Sequence, residues 1–212
     1  MSITGFLKKR CSMVRVLRLA VIPAALIAMS LTAGNASAEE PEGAVSVYVG
    51  RYTPDTLLQV VTETLDLNFD DRDYVGVVAV SSVLKNPTTS RSWEFEAQIG
   101  GHFNGQSHVE VNLAVFHRWR QFPWNRSVRT TMAIGNGFSY AFDDPLLEAT
   151  NPSNDGTRRL QSYLGFEVTL APPTWEHFSF LLRIHHRSTV AGLFGGVDSG
   201  SNYLSVGGRY EY

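Results

Sequence analysis

Along most of this chain apolar and polar residues alternate one by one, the period of a β-strand whose two faces meet different surroundings. In 91–103, Trp93, Phe95, Ala97 and Ile99 share one face, and Glu94, Glu96 and Gln98 the other. In 108–120, Val109, Val111, Leu113 and Val115 alternate with Glu110, Asn112, Ala114 and Phe116. In 159–171, Leu160, Leu164, Phe166, Val168 and Leu170 oppose Arg159, Gln161 and Glu167. Segments 44–52, 73–83, 128–140, 177–188 and 201–212 complete a set of eight predicted strands, the first two alternating least clearly. Asn136-Gly137 is a hairpin signal inside the fifth segment. Splitting there leaves two pieces too short to span a bilayer, so a bulge or kink is expected instead.

Alternation alone fits a soluble sandwich as well as a membrane barrel. The connections favour the barrel. Residues 53–72, 141–158 and 189–200 are long, whereas 84–90, 121–127 and 172–176 are brief and hold Pro87, Pro123, Pro172 and Pro173. Long outer loops and short periplasmic turns are the pattern of outer-membrane barrels, with 104–107 as the exception. Aromatic residues near predicted strand ends, among them Trp93, Trp119, Tyr140, Tyr210 and Tyr212, suit interfacial girdles. The chain ends on Tyr212, in phase with Tyr210, Val206 and Leu204, which resembles the C-terminal strand that barrel assembly machinery recognises. The fold expected is an all-β, eight-stranded antiparallel transmembrane barrel of the bacterial outer membrane. Glu94, Glu96, Glu110, Arg118, Glu167, Arg183, Arg209 and Glu211 then point inward. Eight strands leave an interior that side chains fill, so a charge-paired plug is expected and not a channel. Loop 141–158, rich in Asp, Asn, Pro and Ser, reads as solvated.

Charge and composition narrow the picture further. A formal net charge of −2 gives no sign of nucleic-acid binding. Lys8, Lys9, Arg10, Arg15 and Arg18 precede the apolar run Leu19–Met29, and Ala36-Ser37-Ala38 follows as a cleavage site. That is the plan of a secretory signal peptide, so 1–38 is expected to be removed near Ala38, leaving one barrel domain over 39–212. Met13 is an alternative start, since the segment from there is complete by itself. Cys11 is the one cysteine and lies within the leader, so the mature chain has no thiol for a disulfide, a thiolate metal site or a lipoprotein anchor.

The candidate chemistry lies in the closing hairpin. Phe178, Phe180, Leu182, Ile184, His186 and Ser188 fall on one strand face, an apolar stripe that ends in an imidazole and a hydroxyl. An imidazole within reach can take the hydroxyl proton and make serine a nucleophile toward an ester. His-x-Ser by itself is unspecific, and a histidine and a serine at a membrane boundary are its plain reading. His185 faces the opposite way from His186, so the two cannot share a metal within a strand, and no other ligand cluster is legible. Arg183, His185 and Arg187 make an inward basic line suited to lumen carboxylates. Gly192, Gly195, Gly196 and Gly200 lack the context of a phosphate loop.

The stretch RIHHRS…AGL…DSGSNYLSVGGRYEY resembles the C-terminal part of PagL-type lipid A 3-O-deacylases, from about residue 178 onward. The resemblance implies an eight-stranded outer-membrane barrel with a Ser-His-acid site on its lipid-facing wall. Arg183, His186, Ser188, Gly192 and Leu193 match the motif, which makes His186 the implied general base and Ser188 the implied nucleophile. Upstream, only GRYTPDTL after the first strand adds to the likeness. Two positions depart from it. Asn202 stands where the family has its glutamate, and Thr189 where the family has an asparagine proposed as an oxyanion donor. Asn202 shares parity with Leu204 and Val206 and is placed to orient His186, but carries no charge. Asp198, in the loop, is the alternative acid.

The expected function is therefore an outer-membrane esterase that removes an ester-linked acyl chain from lipid A in the outer leaflet, with no cofactor and no metal. Two alternatives stay open: a non-catalytic structural or adhesive barrel with a decayed site, and a phospholipase of the same membrane. The sequence leaves oligomeric state undetermined.

Overall fold

The computed structural model describes residues 41–212 apart from 64, 65, 71, 72 and 89. The expected signal peptide, with Cys11, lies outside the described residues. The strands are β1 (Gly43–Thr53), β2 (Asp73–Thr88), β3 (Arg91–Asn104), β4 (Val109–Trp119), β5 (Arg129–Ala141), β6 (Leu160–Ala171), β7 (Phe178–Ser188) and β8 (Gly200–Glu211). Each pairs antiparallel with the next, and β8 returns to β1, so the sheet closes into a barrel. Two short helices, α1 (Leu57–Thr62) and α2 (Leu146–Thr150), lie in the β1–β2 and β5–β6 connections. The start of β1, the end of β8 and the three brief turns share one end of the barrel; the longer connections, both helices and the 105–108 turn lie at the other end.

The faces are inverted relative to a water-soluble protein. Phe95, Ile99, Leu113, Ile134, Phe180 and Val206 are exposed on the outer wall. All eight charged residues expected to face inward are buried. A continuous apolar exterior around a polar interior is the distribution a barrel needs in lipid, where closure leaves no backbone edge unpaired. Aromatic rings band both ends. Trp93, His117 and Trp119 pack together near the short turns, and Tyr74–Phe103 and Tyr140–Phe142 pack near the long loops.

Inside, charges are neutralised by partners, as desolvated ions must be. Arg183 donates to Glu96 at 2.6 Å and also pairs with Glu167. Arg118 joins Glu94 and Glu167 at 2.8 and 2.7 Å, and Arg209 joins Glu94 at 2.8 Å. The guanidinium of Arg183 also lies over the Tyr48 and Phe116 rings, each centroid 4.9 Å away.

Three expectations change. β5 runs through Asn136-Gly137 in unbroken register with both neighbours, Asn136 opposite Val115 and Leu164, so no bulge forms. The glycine is there for proximity: a Cβ at Gly137 would sit 1.9 Å from the Leu113 carbonyl oxygen. The irregularity lies instead in β2, which extends to Thr88, with register shifts between Val83 and Lys85 and again before Thr88. Pro87, which has no N–H to give the ladder, falls within that stretch. Finally, 141–158 is not wholly solvated. α2 buries Leu147 and Glu148, because Glu148 answers charge at the barrel mouth: it accepts from Ser201 Oγ at 2.8 Å and pairs with Arg187 at 3.2 Å.

Candidate active site

β7 alternates strictly. Leu181, Arg183, His185 and Arg187 are buried within, while Phe180 and Leu182 are exposed and His186 and Ser188 half-buried on the outer side. His186 lies opposite Asn202 of β8, Ser188 opposite Gly200, and Asn202 opposite Thr53 of β1. Strand parity thus brings His186, Ser188 and Asn202 to one patch of the outer wall at the long-loop end. Asn202 is nonetheless 6% exposed, because the chain leaving β1 passes over it.

That covering segment settles the chemistry of the pair. Asn202 Nδ2 donates to the Asp55 carbonyl at 2.8 Å. Its Oδ1 therefore faces His186 Nδ1 at 2.7 Å. A carbonyl oxygen only accepts, so the network assigns the proton to Nδ1 and leaves the Nε2 lone pair free. The Asp55 segment is fixed in turn. Thr56 caps α1 by accepting from Gln59 N at 3.4 Å, and Gln59 Oε1 accepts from Thr56 N at 3.0 Å, a reciprocal capping box. The Asp55 carboxylate accepts from Asn68 N at 2.7 Å and Asn68 Nδ2 at 2.9 Å. Partial burial pushes the Asp55 carboxyl up, but the bonds from Asn68 and Thr53 outweigh it and hold the group below the ordinary aspartate range.

Ser188 Oγ accepts from Val190 N at 3.0 Å, and among the described residues no hydrogen bond joins it to His186. The chain then turns through a left-handed run, Val190 and Ala191 at φ +51° and Gly192 at φ +87°. A β-branched residue at positive φ is a sterically costly conformation that the surrounding loop must impose. Thr189 does not face the outside. It is fully buried, donating to the Val197 carbonyl at 2.7 Å and accepting from Ser199 N at 2.9 Å, so it staples the β7–β8 loop. Arg183, which matches the same motif, is an interior ion-pair residue, and Leu193 stands 77% exposed at the loop tip.

His186, Ser188, Asn202 and Asp198 line one cleft of about 190 Å3, together with Asp55 and Asn154. Asp198 contributes its backbone carbonyl to Asp155 N at 2.7 Å. Among the described residues its carboxylate makes no hydrogen bond to His186, so Asn202 and not Asp198 is the residue that orients the imidazole. The part played by Asp55, Asn68 and the α1 cap was not visible in the sequence, where they are a turn far from the closing hairpin. A second grouping also escaped it: His102, His108 and Glu110 converge inside the barrel.

No protein-family model and no curated protein matches the sequence. Solved structures do resemble the fold. The crystal structure of the outer membrane enzyme PagL superposes with a TM-score of 0.52 at 13% identity, over 79% of this chain and 98% of that one. Neisserial surface protein A gives 0.46 at 9% identity over 81% and 97%, and the N-terminal β-barrel domain of Pseudomonas aeruginosa OprF 0.45 at 9% over 82% and 100%. At these identities the likeness to PagL shows the fold, that of the small outer-membrane barrels, and the fold alone.

Proposed function

We propose that this protein is an outer-membrane esterase that hydrolyses an ester-linked acyl chain of lipid A, with its long-loop end at the cell surface. The observation that carries the reading is the His186–Asn202 pair. A histidine whose Nδ1–H is committed to an amide oxygen presents Nε2 as a base, on the outer wall and in the same cleft as the Ser188 hydroxyl. Acyl chains in the outer leaflet reach that wall laterally, which gives a reason for a nucleophile outside the barrel. Nε2 would take the Ser188 proton as Oγ attacks the ester carbonyl, then return it to the leaving alkoxide, and water would release the acyl group in a second cycle. Hydrogen bonds of this kind are often open before substrate arrives and tighten in the complex. The barrel assembly machinery would receive the chain through β8, after removal of the leader.

The test is lipid A mass spectrometry of a Gram-negative host with and without the protein. The expected result is the loss of one hydroxyacyl chain, abolished by Ser188→Ala; an unchanged spectrum with the barrel assembled in the membrane overturns the reading. Phospholipid analysis of the same cells separates a phospholipase. The other reading is a non-catalytic barrel. The uncharged Asn202 and the bond from Val190 N to Ser188 Oγ favour it, and it predicts that Ser188→Ala and His186→Ala change nothing in either lipid pool.

A further inference from the structure

The barrel interior holds a second cluster of chemistry-bearing groups. His102 near the end of β3, His108 in the following turn and Glu110 at the start of β4 each bring one ligand atom to the same place, the three atoms lying within 4.8 Å of one another, with the two imidazoles stacked at a centroid distance of 4.1 Å. They are 4%, 7% and 0% exposed. Neither ring nitrogen of His108 has a hydrogen-bond partner. A neutral imidazole always carries one N–H and one lone pair, so burying both unpaired is unfavourable unless something else occupies the position. His102 Nε2 and Glu110 Oε2 are 3.3 Å apart, yet neither has a partner with the alignment of a hydrogen bond. Four buried polar atoms, one on His102, two on His108 and one on Glu110, are therefore left without hydrogen-bond partners in one region.

The surroundings explain how they are held. Asp73 Oδ2 lies 3.2 Å from His102 Nδ1, so it accepts that proton and turns the Nε2 lone pair toward His108 and Glu110. Asp73 is itself fixed by Tyr203 and Gln106, each donating at 2.6 Å. A carboxylate behind a histidine is the usual outer support of a metal-bound imidazole. The other Glu110 oxygen, Oε1, accepts from Asn112 Nδ2 at 2.9 Å and lies 2.7 Å from His185 Nε2, leaving Oε2 for the common space. One cation is close, Arg187 Nε at 3.6 Å from Oε2, but its charge is answered by Glu148 at 3.2 Å.

We infer that His102, His108 and Glu110 form a binding site for a divalent transition metal of the zinc class within the long-loop end of the barrel. Zinc takes nitrogen and oxygen ligands at about 2.0–2.2 Å in a tetrahedron, which sets ligand atoms roughly 3.3–3.6 Å apart. The His102–Glu110 pair already meets that spacing, and His108, carried on a turn, completes the set by rotating out of its stack on His102. Three protein ligands leave a fourth position for water. The site lies inside the barrel and shares no lining residue with the Ser188 cleft on the outer wall, so the two are distinct.

The experiment uses the protein purified from membranes in detergent without a histidine tag, stripped with chelator and dialysed against zinc chloride. Folding is read by heat-modifiable electrophoresis and metal by elemental analysis. One zinc per folded chain is expected, retained in Ser188→Ala, and cobalt substituted for it should give the intense visible bands of a tetrahedral site. His108→Ala, a turn substitution, should abolish binding, and Asp73→Asn should weaken it by about 10- to 100-fold. Should His108→Ala not assemble, His108→Gln keeps a polar side chain there and is expected to lose the cobalt bands. Wild-type protein that retains no zinc, or a folded His108 variant that binds as wild type does, overturns the site.

Discussion

His185 and His186 are neighbours in sequence and live in different solvents. His185 is fully buried in the lumen, 2.7 Å from the Glu110 carboxylate, in an interior crossed by the ion pairs of Arg118, Arg183 and Arg209. His186 is on the lipid side and meets an amide, Asn202. The difference teaches what each face can support. In the lumen many charges share the cost of leaving water, because each carboxylate touches two or more cations or donors. On a wall that borders hydrocarbon, a lone carboxylate would bear that cost by itself. An amide orients a histidine there without carrying charge, provided that something prevents it from flipping. Here the Asp55 carbonyl does so.

The sharpest way to break this comparison is to remove each histidine. On the proposed function, His186→Ala should lower ester turnover by about 10²–10⁴-fold, the usual worth of a positioned general base, with barrel stability unchanged. His185→Ala should do the reverse: near-normal turnover, but a loss of about 1–3 kcal/mol as the interior loses a fully buried ring packed beside Glu110 and Tyr163. Initial rates on lipid A and urea unfolding followed by electrophoretic mobility measure the two. If both variants lose activity equally, the faces are not separate.

A smaller effect is expected at Asn202. Exchanging a triad carboxylate for its amide costs about 10⁴ in a serine protease, partly because the tautomer is wrong. Here the tautomer is already right, so Asn202→Asp should raise turnover by only about tenfold, the gain of a charge-assisted bond, while destabilising the wall. Asn202→Ala should lower turnover, and neutral Nδ1-protonated His186 should no longer dominate in ¹⁵N spectra of the imidazole. No change in either variant would detach Asn202 from function.

The smallest effect concerns the support. Asp55 is held below its ordinary range by Asn68 and Thr53, so its clamp on Asn68 is complete above that range and is lost as pH falls through the depressed folded value. Asp55→Ala should therefore mimic acid, reducing turnover at neutral pH by about fivefold or less, the worth of one net hydrogen bond. A pH–rate profile whose acid limb is identical in wild type and Asp55→Ala would show that this support does not matter.

Much of this was legible in the sequence. Period-two patterning placed all eight strands within a residue or two, β2 excepted, because a barrel in lipid forces each strand to declare both faces. The same parity brought His186, Ser188 and Asn202 together. What could not be read was set by contacts across the chain. Gly137 looked like a turn because the Leu113 carbonyl it makes room for lies on another strand. Loop 141–158 looked solvated because the need of Arg187 for Glu148 is a tertiary matter. Thr189 was set in the place of the family's asparagine by position alone, yet its side chain faces inward. His102 and His108 were separate histidines until the β3–β4 turn folded back between them.

Asn202 also marks a moment in the life of the molecule. Its strand is the last made, and its neighbours are the seventh strand and the first. Its amide bridges His186, sixteen positions back, and Asp55, 147 positions back. Until the first and last strands zip, Nδ2 has no acceptor, the amide is free to turn over, and the imidazole has no fixed tautomer. The seam that seals the cylinder is thus also what fixes the pair on its outer wall, and a chain not yet closed would carry the residues of the cleft without its geometry.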